Sequence, residues 1–489
     1  MHTVVVGAGI GGLVTATLLA RNGHNVTLVE QSSEAGGKMG RAVFDGCTFD
    51  TGPSLITMPF VLEAFFRHAG TTLEDQLQLL PIDPGCHYHW GDGSRLDIPF
   101  SADAIPDAVG RLSPSDAESM RRYLDHAAAV YRATGDVFIF SAFEGFREFF
   151  KLRNAPLIPM LPRLRFTQSM HALHTSMFSD RRIIQLMDRF ATYNGSSPYR
   201  APATLAVIPH VEFAYGAWYP RGGIYAIAQA CERVARANGV SIHYDTAVER
   251  IEHDGRRVSG VVTADGETIP ADLVVSNVDV HVTRSKLLGL RAQPPRDPST
   301  SGFIMLMSVA KQEFGLQHHN VLFSDDYRKE FHDIVEQRTP AADMTIYVSR
   351  SVHTDPTQAP PDRENWFVLV NAPATGQRNG SWHARRDAYA ERIMGRMRQF
   401  GIDPVIRDMQ IRTPDDMVRM WSADRGSLYG SSSNSMFSAF LRPRQRSKQF
   451  ANLWYVGGSA HPGGGVPLVA TSGMLAASGI LGRPFHIPS

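Results

Sequence analysis

The sequence predicts an α/β protein with a parallel-sheet domain split along the chain and an interleaved α+β domain carrying a helical insertion. Three observations carry this reading. A strand, a glycine-rich turn, a helix and a second strand follow one another over residues 3–30. Short strands with Asp-Gly hairpin turns fill residues 241–277. A second glycine-dense stretch, "YVGGSAHPGGGVPLVATSG" (455–473), leads into a helix-like run of small and apolar residues. The 489 residues suffice for more than one core, and 43% hydrophobic with 20% charged residues is ordinary for a globular chain. Lys and Arg (49) balance Asp and Glu (48), so no basic footprint for nucleic acid exists and that partner class is excluded. The three cysteines, Cys47, Cys86 and Cys231, are far apart and lack His or Cys at ligand spacing, which argues against a disulfide framework or zinc site. No metal site is expected.

The first element is the apolar run Thr3–Val6, a buried parallel strand ending at "GAGIGG". Gly7 permits the tight turn, Gly9 lets a pyrophosphate approach, and Gly12 allows close helix–sheet packing. The helix that follows offers free N–H groups to phosphate at its N-terminus. "NVTLVEQ" is the second strand, and Glu30 at its end is placed to accept hydrogen bonds from ribose hydroxyls. An acidic residue there disfavours a 2′-phosphate. The next segment, "EQSSEAGGKMGRAVFDGCTFDTGPSLI", carries Gly36-Gly37-Lys38, then Arg41, then Asp50-Thr51-Gly52-Pro53. A dinucleotide as long as FAD has further phosphate and ribityl oxygens to satisfy, and Lys38 or Arg41 could supply charge-assisted bonds; the other reading is a surface turn with a solvated lysine.

Residues 100–135 read as helices, with a cap at Ser113 or Ser115. Residues 136–190 are dense in Phe, Met, Leu and Pro with scattered Arg and Lys, either a helical lid or a membrane-facing surface. "WYPRGGIYAI" ends a strand and begins a helix near Ile224, and residues 290–445 return to mixed strands and helices. His318-His319 could suggest a metal, but adjacent strand residues point to opposite faces, which favours a structural or surface role. No uninterrupted run of about 18 apolar residues occurs, and the N-terminus lacks a signal-peptide pattern.

The glycine loop, Gly-Gly-Lys and Asp-x-Gly-Pro together resemble the flavin amine oxidase and carotenoid desaturase superfamily, many of whose members carry Arg at the place of Lys38. The tail, a strand followed by Gly-Gly-Ser and His-Pro-Gly-x-Gly, resembles bacterial-type phytoene desaturases and related carotenoid desaturases, with Tyr455 and Gly464 as small departures. "ATYNGSSPYRAPATLAVIPHVE" and "DRGSLYGSSSN" look more like the 1-hydroxycarotenoid 3,4-desaturase subgroup. The resemblance covers nearly the full chain.

That resemblance implies FAD as cofactor and desaturation of an acyclic carotenoid, phytoene or a later hydroxylated or neurosporene-type intermediate. Isomerisation or terminal oxidation on the same fold is the alternative. Oxygen or a quinone is the implied electron acceptor, and the expected location is cytoplasmic, peripheral on the inner membrane face. Residues 1–80, 215–290 and 446–489 are assigned to the FAD-binding domain; 81–214 and 291–445 are assigned to substrate and membrane. Cofactor contacts are expected from Gly7, Gly9, Gly12, Glu30, Gly37, Lys38, Asp50, Gly52, Pro53 and Val248, the last through main-chain atoms against the adenine. In the tail, Gly458, Ser459, Gly465 and Val466 are expected near the isoalloxazine, where a helix N-terminus favours negative charge. His461, the only ionisable side chain of that loop, either contacts flavin, handles a proton or braces the loop. Arg147, Glu148 and Lys151 lie at helical spacing in an apolar stretch, and Glu148 is the candidate base; a solvated amphipathic face is the other reading.

Overall fold

The computed structural model describes residues 1–142, 164–291, 297–375, 381–421, 423–435 and 442–488. Its first sheet has five parallel strands. β1 (His2–Val6) lies between β2 (Asn25–Val29) and Leu273–Ser276, with Ser241–His243 beyond β2 and Leu453–Tyr455 beyond Leu273–Ser276. Thr3, Val4 and Val5 have no exposed surface, which is why the strand reads as an unbroken β-branched run. Helix α1 (Ile10–Arg21) is buried on all sides from Ile10 to Leu19 and so lacks a polar face. It packs against the C-terminal helix Val466–Leu481 at a glycine contact. A Cβ on Gly473 would stand 2.7 Å from the Gly11 carbonyl oxygen, and Thr15 Oγ1 donates to the Gly473 carbonyl at 3.2 Å.

Of the strands expected over residues 241–277, the first and last join the parallel sheet. Those between, Val248–His253, Val258–Thr263 and Thr268–Pro270, form an antiparallel meander. A mixed sheet of seven strands makes the second layer, in the order Ile406–Arg412, Ser301–Ala310, Arg363–Ala372, Ile346–Ser349, His319–Leu322, Cys86–His89 and Arg95–Ile98. Phe303, Met305, Met307, Trp366 and Val368 fill one of its faces without exposure. Full burial of each such side chain stabilises the fold by roughly 1.5–3 kcal/mol.

Helices Ile105–Leu112, Ala117–Thr134, Met170–Met177, Arg181–Asp188 and Val207–Tyr215 form the insertion. Neither Ser113 nor Ser115 caps the long helix. A 3₁₀ turn at Pro114–Asp116 precedes it, Asp116 holds the N-cap position, and its carboxylate instead accepts from Ser179 and Asp180 N–H groups at 2.9 and 2.8 Å. That bond ties two parts of the insertion together, a non-local demand that local cap spacing does not report. Among the described residues no helix is long and apolar enough to cross a membrane.

The Gly52 backbone passes so close to Lys38 that a Cβ would stand 1.9 Å from the Lys38 carbonyl oxygen. Gly52→Ala is therefore expected to displace the Lys38 turn and to cost about 3 kcal/mol or more. A thermal melt within a degree of the parent would refute this close approach.

Candidate active site

One cavity of about 950 Å³ runs from the glycine turn after β1 to the seven-stranded sheet. Two helices point their N-termini at it. Gly9 and Gly465 hold the two N-cap positions, and neither end receives a side-chain cap, so the first-turn N–H groups stay available to a ligand. Glu30 lies in the wall between them. Its carboxylate is fixed by the N–H groups of Ala8 (2.7 Å) and Ser32 (2.9 Å), which leaves further lone pairs for hydroxyl donors.

Gly7, Gly9, Glu30, Gly37, Lys38, Gly52, Pro53, Val248, Gly458, Ser459, Gly465 and Val466 all line this cavity. Gly12 stands behind it, where a Cβ would meet the Gly7 carbonyl oxygen at 2.1 Å, in keeping with a packing role. Asp50 also lies outside the lining, and its carboxylate is already engaged. It accepts from the Tyr219 hydroxyl at 2.7 Å and the Ile224 N–H at 2.8 Å, pinning the Asp-x-Gly-Pro turn to the start of helix Tyr225–Ala237. Burial pushes the Asp50 carboxyl up to about 6, against those two hydrogen bonds. Asp50 is thus a bracket for the wall rather than a ligand contact.

Of the two cations considered for phosphate, Lys38 lines the cavity while Arg41 pairs with Glu34 at 3.6 Å and lies over the Tyr225 ring. Lys38 Nζ donates to the Leu428 carbonyl at 2.8 Å. Its side chain opens onto the cavity, deep in the molecule, and that depth lowers its pKa while the Asp279 charge opposes the shift. Arg442 serves the adjoining residue, donating through Nη1 to the carbonyls of Tyr429 and Gly458, both at 3.1 Å, and through Nη2 to Asn194 at 2.7 Å. Burial brings Arg442 down to about 10, so it remains charged at neutral pH.

His461 does not line the cavity. Its Nε2–H donates to the Ser141 carbonyl at 3.0 Å and its own carbonyl accepts from Gln445 at 2.7 Å, so it braces the loop. Burial drops its pKa to about 4, and the ring is neutral at pH 7. Arg147, Glu148 and Lys151 lie outside the described residues. His318 and His319 are both buried, not at the surface; they bond Thr354 (2.6 Å) and Tyr347 (2.8 Å) respectively. No group of three metal-ligating side chains occurs among the described residues.

Sequence reasoning missed Arg442 and a charged cluster around Arg189 and Glu212, and it gave Asn277 no role in the site. Asn277 follows the strand Leu273–Ser276 and packs among Gly9, Gly11 and Gly457, and its Oδ1 is buried without a partner among the described residues. Only the strand's closing position hinted at it. The residues present fit an extended dinucleotide. Two uncapped helix ends suit a pyrophosphate and an electron-rich ring edge, Glu30 suits a ribose, and Asn277 is among the residues lining the same site.

A dinucleotide fold whose cavity continues past the nucleotide loop onto a second sheet has room for a second ligand beside the nucleotide. The chain belongs to the flavin-containing amine oxidoreductase family, whose pattern matches residues 10–481, and FAD is its cofactor. It is 36% identical over 492 residues to a hydroxyneurosporene desaturase of Rubrivivax gelatinosus, covering 98% of this chain and 93% of that one. A 4,4′-diapolycopene oxygenase of a Methylomonas species is 33% identical over 98% of both chains. A 1-hydroxycarotenoid 3,4-desaturase of a Flavobacterium species is 31% identical over 97% and 98%. The crystal structure of an oxidoreductase from Methanosarcina mazei has the same fold, with a TM-score of 0.66 at 19% identity, covering 99% of this chain and 100% of that chain.

The depressed His461 pKa stabilises the fold fully above pH 6.5, and this contribution, about 3 kcal/mol, is lost as the pH falls toward 4. The difference in Tm between the parent and His461→Gln is therefore expected to shift in favour of the variant between pH 7 and pH 4.5. A difference that stays constant with pH would mean that His461 is not buried neutral.

Proposed function

We infer that the protein desaturates an acyclic carotenoid, working on the polyene at the membrane surface and passing electrons onward to oxygen or a quinone. The observation that carries this reading is the continuity of the cavity. Its nucleotide end is built of glycine turns and helix N-termini, while Ile304, Val321, Phe367 and Leu369 of the seven-stranded sheet and Val207, Ile208 and Val211 of the insertion line the rest. An apolar cavity continuous with the redox site suits a long hydrocarbon. The three carotenoid-acting relatives, each matched over nearly the full chain, support the same substrate class.

FAD, when bound, supplies a hydride acceptor; the organic chemistry is the cofactor's. The chain's own residues do the rest. Gly7, Gly9 and Glu30 anchor the nucleotide, and Val248 lies at the adenine end. Lys38 and Arg442 hold the loop at Leu428 and Tyr429 against the tail. The N-terminus of helix Val466–Leu481 favours negative charge in the part of the cavity it faces. The apolar wall keeps water from the reacting carbons. Glu148 is the candidate to take the proton.

The FAD-loaded protein, given acyclic carotenoids in anionic liposomes with a quinone, is expected to yield a product lacking two hydrogens and absorbing at longer wavelength. A product that has gained oxygen would favour the oxygenase reading, for which the Methylomonas relative speaks. An isomer without net oxidation would overturn both. Glu148→Gln is expected to lower kcat at least tenfold with FAD content unchanged; near-normal turnover would return Glu148 to a solvated face.

A further inference from the structure

The seven-stranded sheet turns one row of side chains to the cavity. Val321, Tyr347 and Leu369 are cross-strand neighbours, Ile304 follows Leu369 on the next strand, and all four line the cavity. Three of them are aliphatic, and Tyr347 is the exception. It lies deep in the molecule and is yet only half-buried, so the surface left to it opens onto the cavity.

The Tyr347 hydroxyl has two partners, Ser54 Oγ at 2.5 Å and His319 Nδ1 at 2.8 Å. Ser54 lines the cavity too and directly follows the Asp50-Thr51-Gly52-Pro53 turn, so its bond to Tyr347 ties that turn to the apolar sheet. The His319 ring stacks at 5.8 Å from the Tyr347 ring, and the Phe367 ring stands edge-on at 6.3 Å. Burial drops the His319 pKa to about 3, so it holds the hydroxyl as a neutral group at pH 7. The Arg189 charge reaches Tyr347, and Glu212, 3.6 Å from Arg189, offsets it.

Making a double bond next to an existing one breaks two C–H bonds. One hydrogen leaves with its electron pair, to oxidised FAD, and the carbon it leaves is oxidised and carries positive charge. The neighbouring hydrogen leaves as a proton, to Glu148 in the reading above, and its electron pair becomes the new double bond. Between the two losses the charge stands on a hydrocarbon in a dry wall. Aliphatic side chains do nothing for it, whereas the electron-rich ring and oxygen of a tyrosine attract it.

We propose that Tyr347 is a catalytic residue that holds the positive charge forming on the polyene, with Ser54 and His319 as positioning residues that fix its ring. The inference rests on the carotenoid reading of the cavity and names the electrostatic partner of the reacting carbons.

The test uses two unreactive ligands, a long branched hydrocarbon chain with a dimethylammonium nitrogen at its centre and the same chain with a quaternary carbon there. Kd for each is read from quenching of protein and flavin fluorescence in detergent micelles, with the FAD-loaded parent, Tyr347→Phe and Tyr347→Leu. Comparing the ratio of the two Kd values between proteins cancels the difference in micelle partitioning. The ratio is expected to favour the ammonium chain about three- to thirtyfold more in the parent than in Tyr347→Leu. Tyr347→Phe, which keeps the ring, is expected to stay within about threefold of the parent. In Tyr347→Leu, kcat is expected to fall at least about tenfold while the Kd of the neutral chain is unchanged. Pentafluorophenylalanine in place of Tyr347 keeps the shape of Phe and withdraws charge from the ring, so it is expected to lose the preference even where Tyr347→Leu fails to fold. An equal ratio in the parent and in these ring-depleted proteins would overturn the proposal while polyene desaturation stands. A parent that binds neither chain and desaturates no polyene would overturn the carotenoid reading itself.

Discussion

The rest of the structure depends on bringing two helix N-termini, far apart in sequence, against one cavity without a side chain to cap either. An uncapped helix end leaves N–H groups that water or a ligand must satisfy. Placing two such ends at one site needs backbones in contact, and that contact is made with glycine. A Cβ on Gly11 would stand 3.0 Å from the Gly457 nitrogen, and a Cβ on Gly473 would meet the Gly11 carbonyl oxygen. Asn277 sits in the remaining gap with one oxygen unpaired. The glycine-dense tail is thus the second half of the first motif, and it closes around the same ligand.

Hydrogen bonds between loops, together with the apolar core, hold the walls around that point. Asp50 ties the Asp-x-Gly-Pro turn to Tyr219 and Ile224. Lys38 and Arg442 grip the consecutive carbonyls of Leu428 and Tyr429. His461 fastens the tail to Ser141, beyond the long helix Ala117–Thr134 of the insertion. The bonds of Asp50, Lys38 and His461 link segments that are distant in the chain, so polar contacts between loops help set the shape of the cavity.

How far this was legible in the sequence depended on whether a residue's demand was local. The glycine turn, β1, α1 and Glu30 follow from spacing alone, because strand, tight turn and helix succeed one another within thirty residues. The hairpins at Asp254-Gly255 and Asp265-Gly266 were equally readable, since Gly255 and Gly266 have φ of +95° and +88°. Asp50 was noticed but misassigned, because motif spacing cannot tell a carboxylate that binds a ligand from one saturated by a tyrosine 169 residues away. The start of the long helix was misplaced for a similar reason: Asp116 holds the N-cap position, but Ser179 and Asp180 claim its oxygens from a distance. Arg442 and the Arg189–Glu212 pair left no signal, because their partners are assembled only by the fold.

The bond from Thr15 to the Gly473 carbonyl spans 458 residues. At a synthesis rate of about 5–20 residues per second, the two halves of the site leave the ribosome roughly 20 to 90 s apart. Through that interval β1 and α1 are present with their glycine turn formed, yet the sheet lacks its edge strand Leu453–Tyr455 and the helix beside α1 has not been made. The nascent chain therefore exposes the apolar flank of α1 until its last segment arrives. The second of the two helix ends that face the nucleotide cavity is made only after nearly all of the rest of the chain.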